Sequence, residues 1–369
     1  NLIQKKILVL NHLIIPEKEK TYKLCEYFKI EINKKLILKI LLSTIMSQNK
    51  PIQLGLCCLN TQLREQKPPI FASRRMIVRC VKEKGVELLK SLIIQNLKDV
   101  VEMMKWNEKN GVKVFRLSSE LFPHKSNPKV EEYSFDFAKE LLWEIGELSR
   151  KYNQRLTFHP GQYNVVGTPN DRSFKHTIRD LKYHADVLDL MGMDQNSVMV
   201  VHGGGVYGNK TQTLDRWCHQ FQELPDNVRK RLVLENCEKC FSIDDCLYVS
   251  ERVNIPVVFD THHFECYNKM HPDETLKYPE EYIPEILETW ARRGIKPKFH
   301  VSEQGAGRIG HHSDYIEEIP TYLLEIPSKY GVDIDIMIEA KMKEQAIFKL
   351  YEKYPMLNCK KIFIKKKIK

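Results

Sequence analysis

The sequence predicts an α/β protein folded as a closed (β/α)8 barrel. Three observations carry the prediction. Eight short apolar runs recur along the chain, amphipathic helical patterns fill the intervals, and no GxGxxG turn follows the first run, which argues against an open dinucleotide-binding sheet. The runs are 53–58 (QLGLCC), 113–118 (KVFRLS), 155–159 (RLTFH), 197–202 (SVMVVH), 231–236 (RLVLEN), 256–260 (PVVFD), 297–302 (PKFHVS) and 334–339 (IDIMIE). Each is mostly apolar, without polar alternation, as strands buried on both faces are. Helical patterns cover 84–108, 136–151, 174–191, 243–252, 279–293 and 343–353; in 136–151, Phe137, Leu141, Leu142, Ile145 and Leu148 recur at helical spacing. This barrel domain, a TIM barrel, is expected over 51–356. A Lys- and Ile-rich N-terminal extension (1–50) precedes it and a short basic C-terminal tail (357–369) follows.

Hydrophobic residues make up 42% of the 369-residue chain and charged residues 29%, so a sizeable core is possible. Lys and Arg outnumber Asp and Glu by 58 to 48, a net +10 that favours an anionic partner, nucleic acid first. Six of those lysines lie in the tail 360–369, which weakens the signal. Ten cysteines in a chain this long do not form a disulfide scaffold; the single CxxC, Cys237 to Cys240, has no second pair to complete a zinc knot. The most apolar N-terminal run, 36–46, is interrupted by Lys39 and is too short to span a bilayer. An intracellular monomer without a membrane partner is the expectation.

What ends each strand is the informative feature. Runs three to eight end in or beside His159, His202, Glu235, Asp260, His300 and Glu339. In a barrel the C-terminal strand ends form one rim, where catalytic groups sit. A lone strand-end histidine is more often a hydrogen-bonded structural residue. Six ionisable ends are harder to explain that way, because buried charges need partners, and a mixed imidazole and carboxylate ring finds them in divalent cations. The donor set suits zinc, manganese or iron better than calcium, and exceeds the needs of one ion. Two or three ions point to phosphoryl chemistry.

Other segments join this rim. HPGQY (159–163) presents Gln162 and Tyr163 on a Pro-Gly turn, either a packed turn or an amide and a ring able to wedge between bases. HGGG (202–205) is either a tight turn or a close backbone approach to phosphate. Asp260 and His263 have spacing for two ligands on the first turn after a strand, and His312 follows strand seven. Lys298 shares strand parity with His300 and so points the same way, as charge compensation or as a carbamylated ligand. His124, His176, His184, His219 and His271 are expected to be mostly solvated.

Taken in order, FRLSS (115–119), HPGQY (159–163), VHGGGVYG (201–208), LEN (234–236), FDTHH (259–263), KFH (298–300), HSDY (312–315) and IEAKMKEQA (338–346) resemble the UV damage endonuclease family. The resemblance spans 53–346 and is specific as a set. It implies a TIM-barrel enzyme related to endonuclease IV that nicks damaged double-stranded DNA 5′ to UV photoproducts, pyrimidine dimers and 6-4 photoproducts, with abasic sites as further candidates. It implies two or three divalent ions, Mn2+ foremost, with Zn2+ or Mg2+ as the others. The implied ligands are His159, His202, Glu235, Asp260, His263, His300, His312 and Glu339. Lys298, His300 and Glu339 are the catalytic candidates. Lys298 matches the family's modified lysine, Gln162 and Tyr163 the pair that probes the strand opposite the lesion, and Asn60 a polar residue of the lesion pocket. Two positions depart from the pattern. Leu56 stands where the family has Tyr, and Asn127 stands where it has a metal-binding His, with His124 as an alternative ligand. A sugar-phosphate isomerase or epimerase of the same superfamily, and a catalytically weakened damage-binding protein, are the rival readings.

Overall fold

The computed structural model describes residues 50–360; residues 1–49 and 361–369, nearly all of the expected extension and most of the tail, lie outside the described residues. Eight parallel strands close a barrel: β1 (Ile52–Cys57), β2 (Val114–Arg116), β3 (Arg155–Thr157), β4 (Met199–His202), β5 (Leu232–Glu235), β6 (Val257–Val258), β7 (Lys298–Val301) and β8 (Ile334–Ile338). Hydrogen bonding divides them into a sheet of five, β3-β2-β1-β8-β7, and a sheet of three, β4-β5-β6. In register, Leu56 pairs with Phe115 on one side and Ile338 on the other, and His202 pairs with Glu235. Single bridges join the two sheets, Phe158 to Met199 at one seam and Asp260 to His300 at the other.

Helices cover the barrel: α1 (Val86–Asn110), α2 (Lys139–Tyr152), α3 (Asp171–Leu190), α4 (Lys210–Gln222), α5 (Ile243–Val253), α6 (Thr261–Met270), α7 (Pro279–Ala291) and α8 (Lys343–Lys353). Local chemistry sets their ends. Asn170 and Asn209 accept a backbone N–H as N-caps of α3 and α4, and Ser242 with Asp245 forms a capping box on α5. The helix expected over 84–108 is α1, shifted by two residues; Gly85 at φ +83 separates it from a further short helix, Val78–Lys84. Helices α2 and α3 meet at Gly146, where a Cβ would lie 1.7 Å from the Met191 carbonyl oxygen.

His184 corrects one expectation: it is fully buried, its Nδ1 2.7 Å from the Asp180 carbonyl and its ring edge-on to Phe158. It faces inward from α3, so hydrogen bonding and packing, not solvent, satisfy it. Cys57, Cys58, Cys80, Cys218, Cys237, Cys240, Cys246 and Cys266 are free thiols, and no described helix is long and apolar enough to cross a membrane.

Candidate metal centre

Strand ends place the ionisable groups. β5 delivers Glu235, 0% exposed, to the centre of the rim. Its Oε2 lies 2.9 Å from His159 Nε2 and 3.3 Å from His202 Nε2; its Oε1 lies 2.5 Å from His300 Nδ1 and 3.8 Å from His263 Nδ1. Four imidazoles, three at or just beyond strands and His263 on the first turn of α6, therefore converge on one carboxylate. Across the barrel, His300 Nδ1 is also 3.3 Å from Glu339 Oε1, and His312 Nδ1 is 3.9 Å from Glu339 Oε2. Three sets of ligand atoms lie within 4.8 Å of one another: His159, Glu235 and His300; His202, Glu235 and His263; and Asp260, His300 and Glu339. His312, half-exposed, borders the third set without belonging to it.

Asp260 performs two tasks. Its Oδ1 caps α6, accepting from the His262 and His263 amides at 2.8 and 2.9 Å, and so aims His263 at the cluster; Asn236 brackets its backbone. Its Oδ2 is buried with no hydrogen-bond partner. A buried carboxylate oxygen without a donor is costly, and a cation is the partner that three such neighbouring donor sets accommodate.

The charges confirm the tension. Burial pushes the Asp260 carboxyl up to about 7; His263 opposes this, while Glu235 and Glu339 add to it. Burial also acts to raise Glu235, but His300 and His202 outweigh it and hold the carboxyl well below its usual range. Burial acts likewise on Glu339, and Arg116 with His300 overrides it, again holding the group low. Burial lowers His300 to about 4, with Glu235 opposing. For His263 burial acts downward, yet Asp260 and Glu235 lift it to about 9.

Lys298 is fully buried, its Nζ 3.0 Å from His300 Nε2, the parity expected from the strand. Burial, with Arg116 adding, draws it down to about 8. Arg116, at the end of β2, donates a short hydrogen bond to Glu339 and was not singled out from the sequence. The available signal was its parity: a cation at a strand end facing a ring of acids.

The remaining predicted residues fall outside the cluster. Gln162 and Tyr163 are exposed on the loop after β3, with the Tyr163 hydroxyl donating to Asp180. Asn60 is buried as the N-cap of the short helix Thr61–Arg64; its Oδ1 accepts from the Leu63 amide and its Nδ2 has no partner. Leu56 is fully buried within β1. His124 and Asn127 engage each other: Asn127 Nδ2 is 3.3 Å from His124 Nδ1, and His124 Nε2 is 2.5 Å from the Met76 carbonyl. His124 belongs to no ligand set of His, Cys, Asp or Glu among the described residues. In the glycine cluster, a Cβ on Gly203 would strike Phe241 at 2.2 Å, and Gly204 sits at φ +92 against Val165, so these two make a tight turn.

Comparison with known proteins follows the same lines. The model of the family described as UV-endonuclease UvdE matches residues 52–368. A UV-damage endonuclease of Schizosaccharomyces pombe is 38% identical over 325 residues, covering 84% of this chain and 52% of that protein. This chain thus spans about half the length of the fungal relative. A UV DNA damage endonuclease of Bacillus velezensis is 35% identical over 271 residues, covering 72% of this chain and 82% of that protein. The crystal structure of SacUVDE superposes with a TM-score of 0.70 at 29% identity, covering 83% of this chain and all of that one.

Proposed function

The chain belongs to the UV-endonuclease UvdE family, and on that premise we propose that it is a metal-dependent DNA repair endonuclease that nicks the backbone 5′ to UV photoproducts. The observation that carries this reading is the convergence of three ligand sets, sharing Glu235 and His300, on the rim that also presents the exposed Gln162–Tyr163 loop. The proposed ligands are His159, His202, Glu235, Asp260, His263, His300, His312 and Glu339, holding two or three divalent ions with Mn2+ foremost. Such ions, when bound, supply a nucleophile at neutral pH and neutralise charge on the phosphate.

The chain's own residues do the rest. Damage weakens stacking, so extruding the lesion costs less than the roughly few kcal/mol needed to flip an intact base. Gln162 and Tyr163 fill the gap left in the opposite strand. Asn60 is the polar residue assigned to the lesion pocket, with its Nδ2 buried and unpaired beneath the surface. Arg116 balances the acids from the barrel interior, and Lys298 orients His300 through its Nε2. A lysine drawn toward neutrality by burial is the form that reacts with carbon dioxide, which supports its assignment as the modified lysine. The scheme needs no covalent protein intermediate. A repair role places the protein where DNA is, acting as a monomer.

The test is an end-labelled duplex carrying one photoproduct, incubated with protein and Mn2+. Incision on the 5′ side is expected. Binding without incision would make the chain a damage-binding protein, and neither would overturn the DNA reading. Glu339→Gln should abolish incision and keep binding; unchanged cutting would refute its role as a ligand.

A further inference from the structure

Helix α3 carries a carboxylate that this scheme leaves unused. Asp180 is 1% exposed. Its Oδ1 accepts from Ser126 Oγ at 2.5 Å and from the Tyr163 hydroxyl at 3.1 Å, and its Oδ2 accepts from Asn164 Nδ2 at 2.8 Å. Ser126 lies on the loop after β2; Tyr163 and Asn164 lie on the loop after β3. No described Lys or Arg pairs with Asp180. His184 Nδ1 is 3.6 Å from Oδ2, but burial drives that imidazole toward its neutral form. A buried charge met only by neutral donors is a poor device for stability, since an apolar side chain of similar size often serves as well. What it provides is direction.

The loop is built to be held this way. The Tyr163 ring lies across Gly161, where a Cβ would come within 2.5 Å of it. Asn164 bonds back to the Gly161 carbonyl through both its amide and its Nδ2, and the Val165 amide donates to Thr177 Oγ1 on α3. Burial, with the Asp180 charge next, pushes the Tyr163 hydroxyl upward, so it remains a donor. The hydroxyl is thus fixed while the ring stays 68% exposed.

We propose that Asp180 is the positioning residue of the Gln162–Tyr163 loop, tethering Tyr163 by its hydroxyl so that the ring meets the duplex already oriented. This rests on the reading of that loop as the probe of the strand opposite the lesion. Ordering a loop and a side chain before binding removes that cost from the binding step. Removing the tether should therefore weaken engagement and leave the chemistry alone.

The experiment is single-turnover incision by the full chain with Mn2+, on a photoproduct duplex with 2-aminopurine opposite the lesion. Asp180→Asn keeps the shape and loses the charge; Tyr163→Phe removes only a hydroxyl. Each should raise the half-saturating enzyme concentration roughly tenfold, with the maximal rate within about twofold, and lower the fluorescence change. The double variant should be no worse than the more severe single one, because both act on the same bond, one removing its donor and the other weakening its acceptor. A fall in maximal rate without a change in half-saturation, or full additivity, overturns the proposal. If Asp180→Asn does not fold, Tyr163→Phe decides. Tyr163→Ala separates the two levels. If it leaves half-saturation and fluorescence unchanged, the probe reading itself fails. If it loses both while Asp180→Asn and Tyr163→Phe change neither, only the tether fails.

Discussion

At the scale of single residues, the rim is a problem of charge balance. Arg116 and Glu339 form an ion pair whose side chains are 14% and 9% exposed. Deleting one partner of such a pair leaves an unpaired buried charge, which costs about 3–5 kcal/mol. Arg116→Ala should therefore melt roughly 4–8 °C lower than the parent chain without added ions. Mn2+ should recover part of that loss, since a cation beside Glu339 restores the missing positive charge. Differential scanning calorimetry with and without Mn2+ checks both statements, and a variant that melts with the parent would show that the pair contributes nothing. Arg116 also marks the limit of sequence reading. Strand-end histidines and acids could be found by position alone, because a barrel makes every strand end a neighbour of every other. The Arg116–Glu339 pair joins residues 223 apart, and the Asp180 network joins segments from three parts of the chain. Nothing local in sequence announces such partners.

At the scale of elements, sequence and structure agree where burial dominates and part where a single backbone position decides. All eight runs form strands, because apolar β-branched stretches have no other way to bury both faces. Their ends are trimmed: β2 holds only Val114–Arg116 of the expected 113–118, although the Lys113 carbonyl and the Leu117 amide still bond to Arg155 and Thr157 of β3. Helix α6 was not foreseen. Its start, DTHH, carries ligands, and the cap that makes it a helix is the same Asp260. One residue serving two purposes hides the more ordinary one. The α2–α3 crossing sets propensity against packing. Ala is favoured over Gly inside a helix by about 1 kcal/mol, whereas overpacking costs about 1–3 kcal/mol. With the Met191 carbonyl 1.7 Å from the would-be Cβ, packing should win. Gly146→Ala is expected to destabilise the chain by up to about 2 kcal/mol in urea unfolding; a stabilised variant would mean that the two helices can separate at little cost.

At the scale of the whole molecule, the two sheets divide the proposed ligands between them. His159, His300 and Glu339 sit at or just beyond strands of the five-stranded sheet, His202 and Glu235 on the three-stranded one. The seams between them are thin. At one, the Val200 amide reaches the Phe158 carbonyl and the Phe158 amide the Val198 carbonyl; at the other, the His300 amide reaches the Phe259 carbonyl. Each seam therefore lies next to a ligand, and any ion held by both sheets works as a rivet across a split hoop. Hydrogen exchange at the Phe158, Val200 and His300 amides should slow when Mn2+ is added, more than at amides within either sheet, because local opening there would have to release the ion. Uniform slowing across the barrel would show that the hoop opens only as a whole. On this view the ions set the lifetime of the closed barrel as well as its chemistry, and a chelator shortens that lifetime first at the two places where the strands are least bound to one another.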